Sequence, residues 1–269
     1  MLEILQIDLI QRAVVAGLTI GIISPLIGTF LVLRTLSFIG DTLAHSTLAG
    51  VAAGILAGGY PVIGGMIFAV LAAIGIDILR KVYKHYQELS MPIMMSTGIG
   101  LAVVLISISK GFNVDLFSYL FGSIIAVTKT DIITIVTAGT VIIITVILLY
   151  KELLYISFDE EGARLSGIPY QKVNLIFTIL VALTIASSMR IVGILLVSSM
   201  MTIPVATSLQ IANSFKQTLL FSVLFAQLAI LLGLPIAYYL ELASGGTIVL
   251  ISVTILLLTM FFKKVFKKA

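Results

Sequence analysis

Cysteine and tryptophan are both absent from the chain, and histidine occurs only twice. Without thiols there is no disulfide and no thiolate ligand, so any metal must be held by oxygen, nitrogen or a methionine thioether. Charge is scarce as well. Only 10% of the 269 residues are Asp, Glu, Lys or Arg, too few to solvate the surface of a soluble domain. No polar run is long enough to fold separately, which argues against a nucleotide-binding or enzymatic module within the chain and leaves a single transmembrane domain over residues 1–269. What the chain has in excess is hydrocarbon: 60% apolar residues and a mean hydropathy of +1.22 identify an integral membrane protein. Glu3 and Asp8 stand where a basic leader would be, so the first apolar run reads as a retained span. The +4 net charge gives no reason to expect nucleic acid.

A helix needs roughly 20 apolar residues to cross the hydrocarbon. Nine runs qualify, at residues 13–33, 38–57, 61–79, 93–109, 132–149, 173–187, 191–211, 219–239 and 247–262, or eight if one is re-entrant. The expected fold is therefore all-α and polytopic. Assigning alternate loops to the cytoplasm collects Arg34, Arg80, Lys81, Lys84, Lys151, Arg164, Lys172, Lys216, Lys263, Lys264, Lys267 and Lys268 there. Only Arg12, Lys110, Lys129 and Arg190 of the 16 basic residues remain outside. The positive-inside rule then places the C-terminus in the cytoplasm; nine spans put the N-terminus outside and eight put it inside.

Within the second run, Gly40-Asp41-Thr42-Leu43-Ala44-His45-Ser46 sets a carboxylate and an imidazole four residues apart, on one helical face with Leu48, Ala49 and Ala52. Gly50, Gly54 and Gly58 follow on the opposite side at a spacing that permits close helix packing. Ionisable groups in hydrocarbon are costly and mark function by default. An aspartate oxygen and a histidine nitrogen at this spacing can chelate one divalent cation at about 2.0–2.2 Å. Two ligands do not make a selective site, but two copies of the chain meeting on a two-fold axis would supply four, the number a tetrahedral zinc site takes. The same spacing equally suits a structural hydrogen bond between Asp41 and His45 that locks the helix start.

Residues 36–52, from Leu36-Ser37-Phe38-Ile39-Gly40-Asp41 through His45 to Val51-Ala52, resemble the signature of the permease subunits of ATP-binding-cassette importers of zinc, manganese or iron. Asp115-Leu116-Phe117-Ser118-Tyr119-Leu120-Phe121-Gly122-Ser123 resembles a second landmark of that family, and Arg190 to Ser199 followed by Ile203-Pro204-Val205-Ala206-Thr207 a third. The resemblance implies a type II importer-like permease, embedded in the cytoplasmic membrane of a prokaryote. It implies that Asp41 and His45 bind the travelling metal, with zinc favoured by the wording of the first two landmarks and manganese or iron the alternatives. It also implies the partners: a second copy of the chain, cytoplasmic subunits that bind and hydrolyse ATP, an extracytoplasmic metal-binding protein and membrane lipid. The chain itself would be a transport subunit and not an enzyme, with no covalent cofactor. A gradient-driven carrier using Asp41 and His45 as a proton or metal relay is the rival, although no internal repeat is visible.

Between the fifth and sixth runs, Ser157-Phe158-Asp159-Glu160 fits a capping box that starts a short cytoplasmic helix, which Gly167 and Pro169 stop. Phe158, Gly162 and Leu165 would share one of its faces. The resemblance makes this segment, about residues 157–169 with Phe158, Asp159, Glu160, Gly162, Ala163, Leu165 and Gly167, the coupling element that docks in the ATPase. In the seventh run Pro204 lies among hydroxyls and suggests a hinge, while Ser199, Thr202, Ala206 and Gln210 line one face bordering a path, unless the hydroxyls bond their own backbone. Met91, Met94 and Met95 read as packing, His85 as solvated, and Asp77 as the partner of Lys81. Lys110, Asp115, Lys129, Asp131, Arg190 and Glu241 read as rim charges, and Phe112, Phe117, Tyr119 and Phe121 as an interfacial aromatic belt.

Overall fold

The computed structural model describes residues 8–108, 114–123 and 126–266. Regular structure among them is helical. Eight helices are long and apolar enough to cross a membrane: α1 (Asp8–Leu33), α2 (Phe38–Leu56), α3 (Pro61–Val82), α4 (Ser90–Ile108), α6 (Lys129–Leu148), α9 (Tyr170–Val192), α11 (Phe215–Tyr239) and α12 (Ser244–Phe266). Four shorter ones fill the joints, α5 (Val114–Phe121), α7 (Tyr150–Phe158), α8 (Glu160–Leu165) and α10 (Val197–Ser208).

The run at 191–211 is not the full-length span that its hydropathy suggests. At Gly193 the φ angle of 85° ends α9, and a Cβ there would lie 2.5 Å from the Leu120 carbonyl oxygen, so the sharp turn requires glycine. The chain then turns against the end of α5, Ile194 N–H donating to Tyr119 O at 2.9 Å and Leu195 N–H to Leu120 O at 3.3 Å. Only afterwards does α10 begin, and its 12 residues cover about 18 Å at 1.5 Å per residue. It is the half-length ninth pass of the chain.

Contacts fix which helix ends lie together. Phe30 near the end of α1 packs its ring at a tilt against Phe215 at the start of α11, and Arg34 donates to Asn174 in the first turns of α9 at 2.6 Å. Lys263 near the end of α12 reaches Gln210 just after α10 at 3.4 Å. The start of α1 and the end of α12 therefore lie at opposite ends of the bundle. This is the arrangement expected of nine passes, because α10 supplies the odd one. Arg34, Arg80, Lys84, Arg164, Lys172, Lys216 and Lys263 gather at one end, hereafter the basic end, as the alternation of loops requires. Lys110, Lys267 and Lys268 lie outside the described residues.

The core is built around α1, α9 and α10. Ile20, Ile23, Ile27, Ala182, Ile185, Ala186, Met189, Val197 and Met200 are completely buried. By contrast α3, α4 and α12 expose long apolar side chains such as Leu71, Val103 and Leu257, the pattern of helices whose solvent is lipid.

Candidate metal site and coupling segment

Helix α2 starts without a side-chain cap from Ser37, and Asp41 falls in its first turn, where the helix dipole favours negative charge. Along α2, Leu43, Ala44, Ser46 and Thr47 are buried, whereas Asp41, His45 and Leu48 are only half-buried and form a stripe one face wide. Among the described residues Asp41 and His45 form no hydrogen bond or ion pair, with each other or with any neighbour. The locking Asp–His hydrogen bond that the spacing also allowed is therefore not made. Among the described residues both side chains keep their ligating atoms free, on a face that is only partly covered.

The depth of this stripe follows from its neighbours. Gly98, midway along α4, lies so close that a Cβ on it would come within 2.9 Å of the Ser46 amide nitrogen. His45, one residue away, is thus level with the middle of a membrane-length helix. Two further close approaches hold α2. Gly50 meets Gly64 of α3, where a Cβ on Gly50 would stand 2.3 Å from the Gly64 carbonyl oxygen, and Gly40 faces Ser198 at the start of α10. Gly54 abuts Pro61, but Gly58, with a φ of 65°, lies beyond the helix end and serves the turn into α3. No group of three or more His, Asp or Glu residues that could hold a metal occurs among the described residues.

On α10, Ser199, Thr202 and Ala206 lie on a half-buried face, with Gln210 half-buried just beyond the helix end and Pro204 buried inside the helix. Thr202 donates to Ser198 O at 3.0 Å and Thr207 to Ile203 O at 2.8 Å, so these hydroxyls are engaged with their own helix. The half-buried face begins one residue after the contact with α2.

At the basic end the capping differs from the sequence reading. Ser157 lies inside α7 and donates to Leu153 O at 2.7 Å. Asp159 is the cap that starts α8, its carboxylate accepting from Gly162 N–H at 2.8 Å. Phe158 therefore ends α7 and does not share a helical face with Gly162 and Leu165. Its ring lies 6.2 Å from that of Phe215, which in turn stands 5.4 Å from Phe30. Ala163 is buried, Leu165 is 90% exposed, and Gly167 (φ 81°) turns the chain toward α9. Glu160 and Arg164 pair at 2.6 Å, and the Arg164 guanidinium lies over the Tyr170 ring. Burial lowers the pKa of Arg34, whose guanidinium lies over Phe177.

At the opposite end the structure contains a network that reading charges singly misses. Asp131 caps α6 through a reciprocal bond with Thr128, accepts a hydrogen bond from the Tyr60 hydroxyl and pairs with Arg190 at 3.4 Å. Arg190 covers the Tyr119 ring at 4.0 Å. Asp131 and Arg190 are thus a buried pair and not rim charges, and Tyr119 is buried beneath them and not part of an interfacial belt. Phe117 and Phe121 are exposed and stacked as a belt would be, while Phe112 lies outside the described residues. The legible signal was Thr128-Lys129-Thr130-Asp131, a cap pattern ahead of an apolar run. The remaining minor readings hold: Asp77 pairs with Lys81 at 2.5 Å, Met91 and Met94 pack against the core, and His85 is exposed.

Residues 6–263 match the family described as the ABC 3 transport family. The chain is 40% identical to a "Probable metal transport system membrane protein" of Treponema pallidum (strain Nichols), covering 94% of this chain and 95% of the relative. It is 30% identical to the manganese transport system membrane protein MntC of Halalkalibacterium halodurans, over 97% and 89% of the two chains. It is 31% identical to the high-affinity zinc uptake system membrane protein ZnuB of Haemophilus influenzae, over 94% and 97%. Among solved structures it resembles PsaBC from Streptococcus pneumoniae in complex with Fab, with a TM-score of 0.84, 32% identity, and 94% and 91% of the two chains covered.

Proposed function

The chain belongs to the ABC 3 transport family of metal importer permeases, and on that premise we propose that it carries Zn²⁺ inward across the cytoplasmic membrane, with Asp41 and His45 as its metal ligands. The observation that supports this most is the half-buried, unpartnered Asp41 and His45 stripe level with the middle of α4. Two such stripes, brought together by a second copy of the chain, give two carboxylates and two imidazoles. That donor set suits a four-coordinate zinc ion, and by the usual order of divalent affinities it holds Zn²⁺ more tightly than Mn²⁺. Manganese is the second reading, favoured by relatives named for manganese transport at 30% and 33% identity, on either side of the 31% of the zinc-named one.

In this reading α8 and its flanking Phe158, Asp159 and Gly167 dock in separate ATP-hydrolysing subunits on the cytoplasmic side. An extracytoplasmic binding protein delivers the ion at the opposite end, and the C-terminus faces the cytoplasm with the other basic loops. Pro204 and the Gly193 break let α10 shift as Ser199, Thr202 and Ala206 border the path. Uptake of radioactive zinc and manganese by cells expressing the whole transporter tests the assignment. Asp41→Ala and His45→Ala are each expected to abolish uptake with the protein still in the membrane, and excess zinc to compete more strongly than manganese. Undiminished zinc uptake by both variants would refute the site.

A further inference from the structure

At the basic end, a cleft of about 620 Å³ opens between the end of α3 and the start of α9, and the site described above makes no use of it. Its charged lining is Arg80, Lys81, Lys84, Arg164 and Lys172 against the single carboxylate of Asp77. Asp77 is taken by Lys81 at 2.5 Å, and Arg164 by Glu160 at 2.6 Å. Arg80, Lys84 and Lys172 are left in excess. Arg80 is the telling one: it is half-buried, makes no hydrogen bond or ion pair among the described residues, and also lines an adjoining cleft of about 460 Å³. The carboxylates whose charge acts on it, Asp77 and Glu160, are already paired with Lys81 and Arg164, so a guanidinium withdrawn from water is left short of negative charge and an anion entering the larger cleft would relieve it.

The surroundings say which kind of anion. From the mouth of the cleft, α3 runs back along the bundle with Ile63, Ile67, Leu71, Ile74, Ile78 and Val82 all exposed at intervals of three and four residues. This apolar face of α3 adjoins the face that carries Asp77, Arg80, Lys81 and Lys84, so its last residues, Ile78 and Val82, lie beside the cationic cleft without lining it. A ligand matching both features carries a phosphate at one end and acyl chains at the other. Basic pockets between membrane helices at the cytoplasmic side recognise anionic lipid headgroups in this way.

We propose that the cleft binds the phosphate of an anionic phospholipid, held by Arg80, Lys84 and Lys172, with the acyl chains along the exposed face of α3. The lipid then neutralises Arg80 beside α8. The inference rests on the chain spanning the membrane with this end at the cytoplasmic leaflet, but not on the identity of the transported ion.

Native mass spectrometry of the full-length chain, in micelles containing equal phosphatidylglycerol and phosphatidylcholine, counts the lipids retained. Wild type should retain phosphatidylglycerol over phosphatidylcholine by on the order of tenfold. The double variant Lys84→Gln and Lys172→Gln, at exposed positions that leave the core intact, should lose most of that preference. Arg80→Gln should lose it and Arg80→Lys largely keep it, while Lys216→Gln at the same end leaves it unchanged. Equal retention of the two lipids by wild type, or an unchanged preference in the double variant, would overturn the proposal. So would complete displacement of phosphatidylglycerol by inorganic phosphate, which would mark a free-phosphate site, or by added ATPase subunits, which would assign the face to protein. Because the readout contains no metal, a failure of zinc uptake and a failure of lipid retention are separate results.

Discussion

Among the described residues the Asp41 carboxylate and the His45 imidazole on α2 make no hydrogen bond or ion pair, which leaves both able to bind a ligand. The opposite case is Asp131, which is buried and fully engaged by Thr128, Tyr60 and Arg190. Removing one partner of a buried pair strands the other, at a cost of about 3–5 kcal/mol. Asp131→Ala should therefore lower the thermal unfolding midpoint sharply, whereas Asp41→Ala should leave it nearly unchanged, and equal losses would contradict this division between structure and site. Burial, and then the bond to Asp131, raise the Tyr60 hydroxyl above the ordinary tyrosine value of about 10. The folded state holds that proton more tightly than the unfolded chain does, so its contribution is whole below about pH 10 and fades as the pH climbs through the raised value. Unfolding midpoints followed from about pH 8 to 11 should fall at the alkaline end, and less steeply in Tyr60→Phe. That Asp41 and His45 share one helical face was legible in their spacing, and the structure leaves both half-buried with no bond between them. The roles of Tyr60, Arg190 and Tyr119 were not legible, since 71 residues separate Tyr60 from its partner and only the folded chain brings them together.

Helix α10 explains why hydropathy alone gives nine equal runs. The apolar stretch at 191–211 has the composition of a span, but Gly193 and Gly122 take up positive φ angles and the chain spends residues 193–196 in a turn bonded to the end of α5 before α10 begins. Composition does not record such a break; glycine in a tight backbone crossing does. The placement of α10 depends on Gly28 of α1, where a Cβ would lie 1.9 Å from the Met201 carbonyl oxygen. Gly28→Ala must push two backbones apart, with a destabilisation of about 1–3 kcal/mol or more. Thermal unfolding would show it, and a neutral outcome would mean that α10 is free to move away from α1. At the basic end the sequence pattern announced a short helix with the right boundaries at Gly167 but the wrong cap, because Ser157 and Asp159 are both good capping residues and only the end of α7 at Phe158 decides between them. Leu165 is almost wholly exposed and so contributes little to folding. If α8 couples to an ATPase, Leu165→Ser should depress transport-linked ATP hydrolysis several-fold with no change in unfolding midpoint; unchanged hydrolysis would remove α8 from that role.

For the molecule as a whole, the half-length pass gives an odd count, so the chain begins and ends at opposite ends of the bundle, and the charges sort accordingly. This asymmetry was readable from the lysines and arginines before any coordinates, because charge placement in loops reports sidedness directly. The half-buried state of the Asp41, His45 and Leu48 face was not readable, since Ala49 and Ala52 share it by spacing and only the folded chain buries those two and leaves the other three partly open. The central claim is that two copies complete one site between them. Metal content of the purified permease, measured by elemental analysis together with its oligomeric mass after zinc loading and removal of excess ion, tests it directly. The account predicts one zinc ion for every two chains, lost in both Asp41→Ala and His45→Ala. One ion per chain, or zinc retained by either variant, would contradict it.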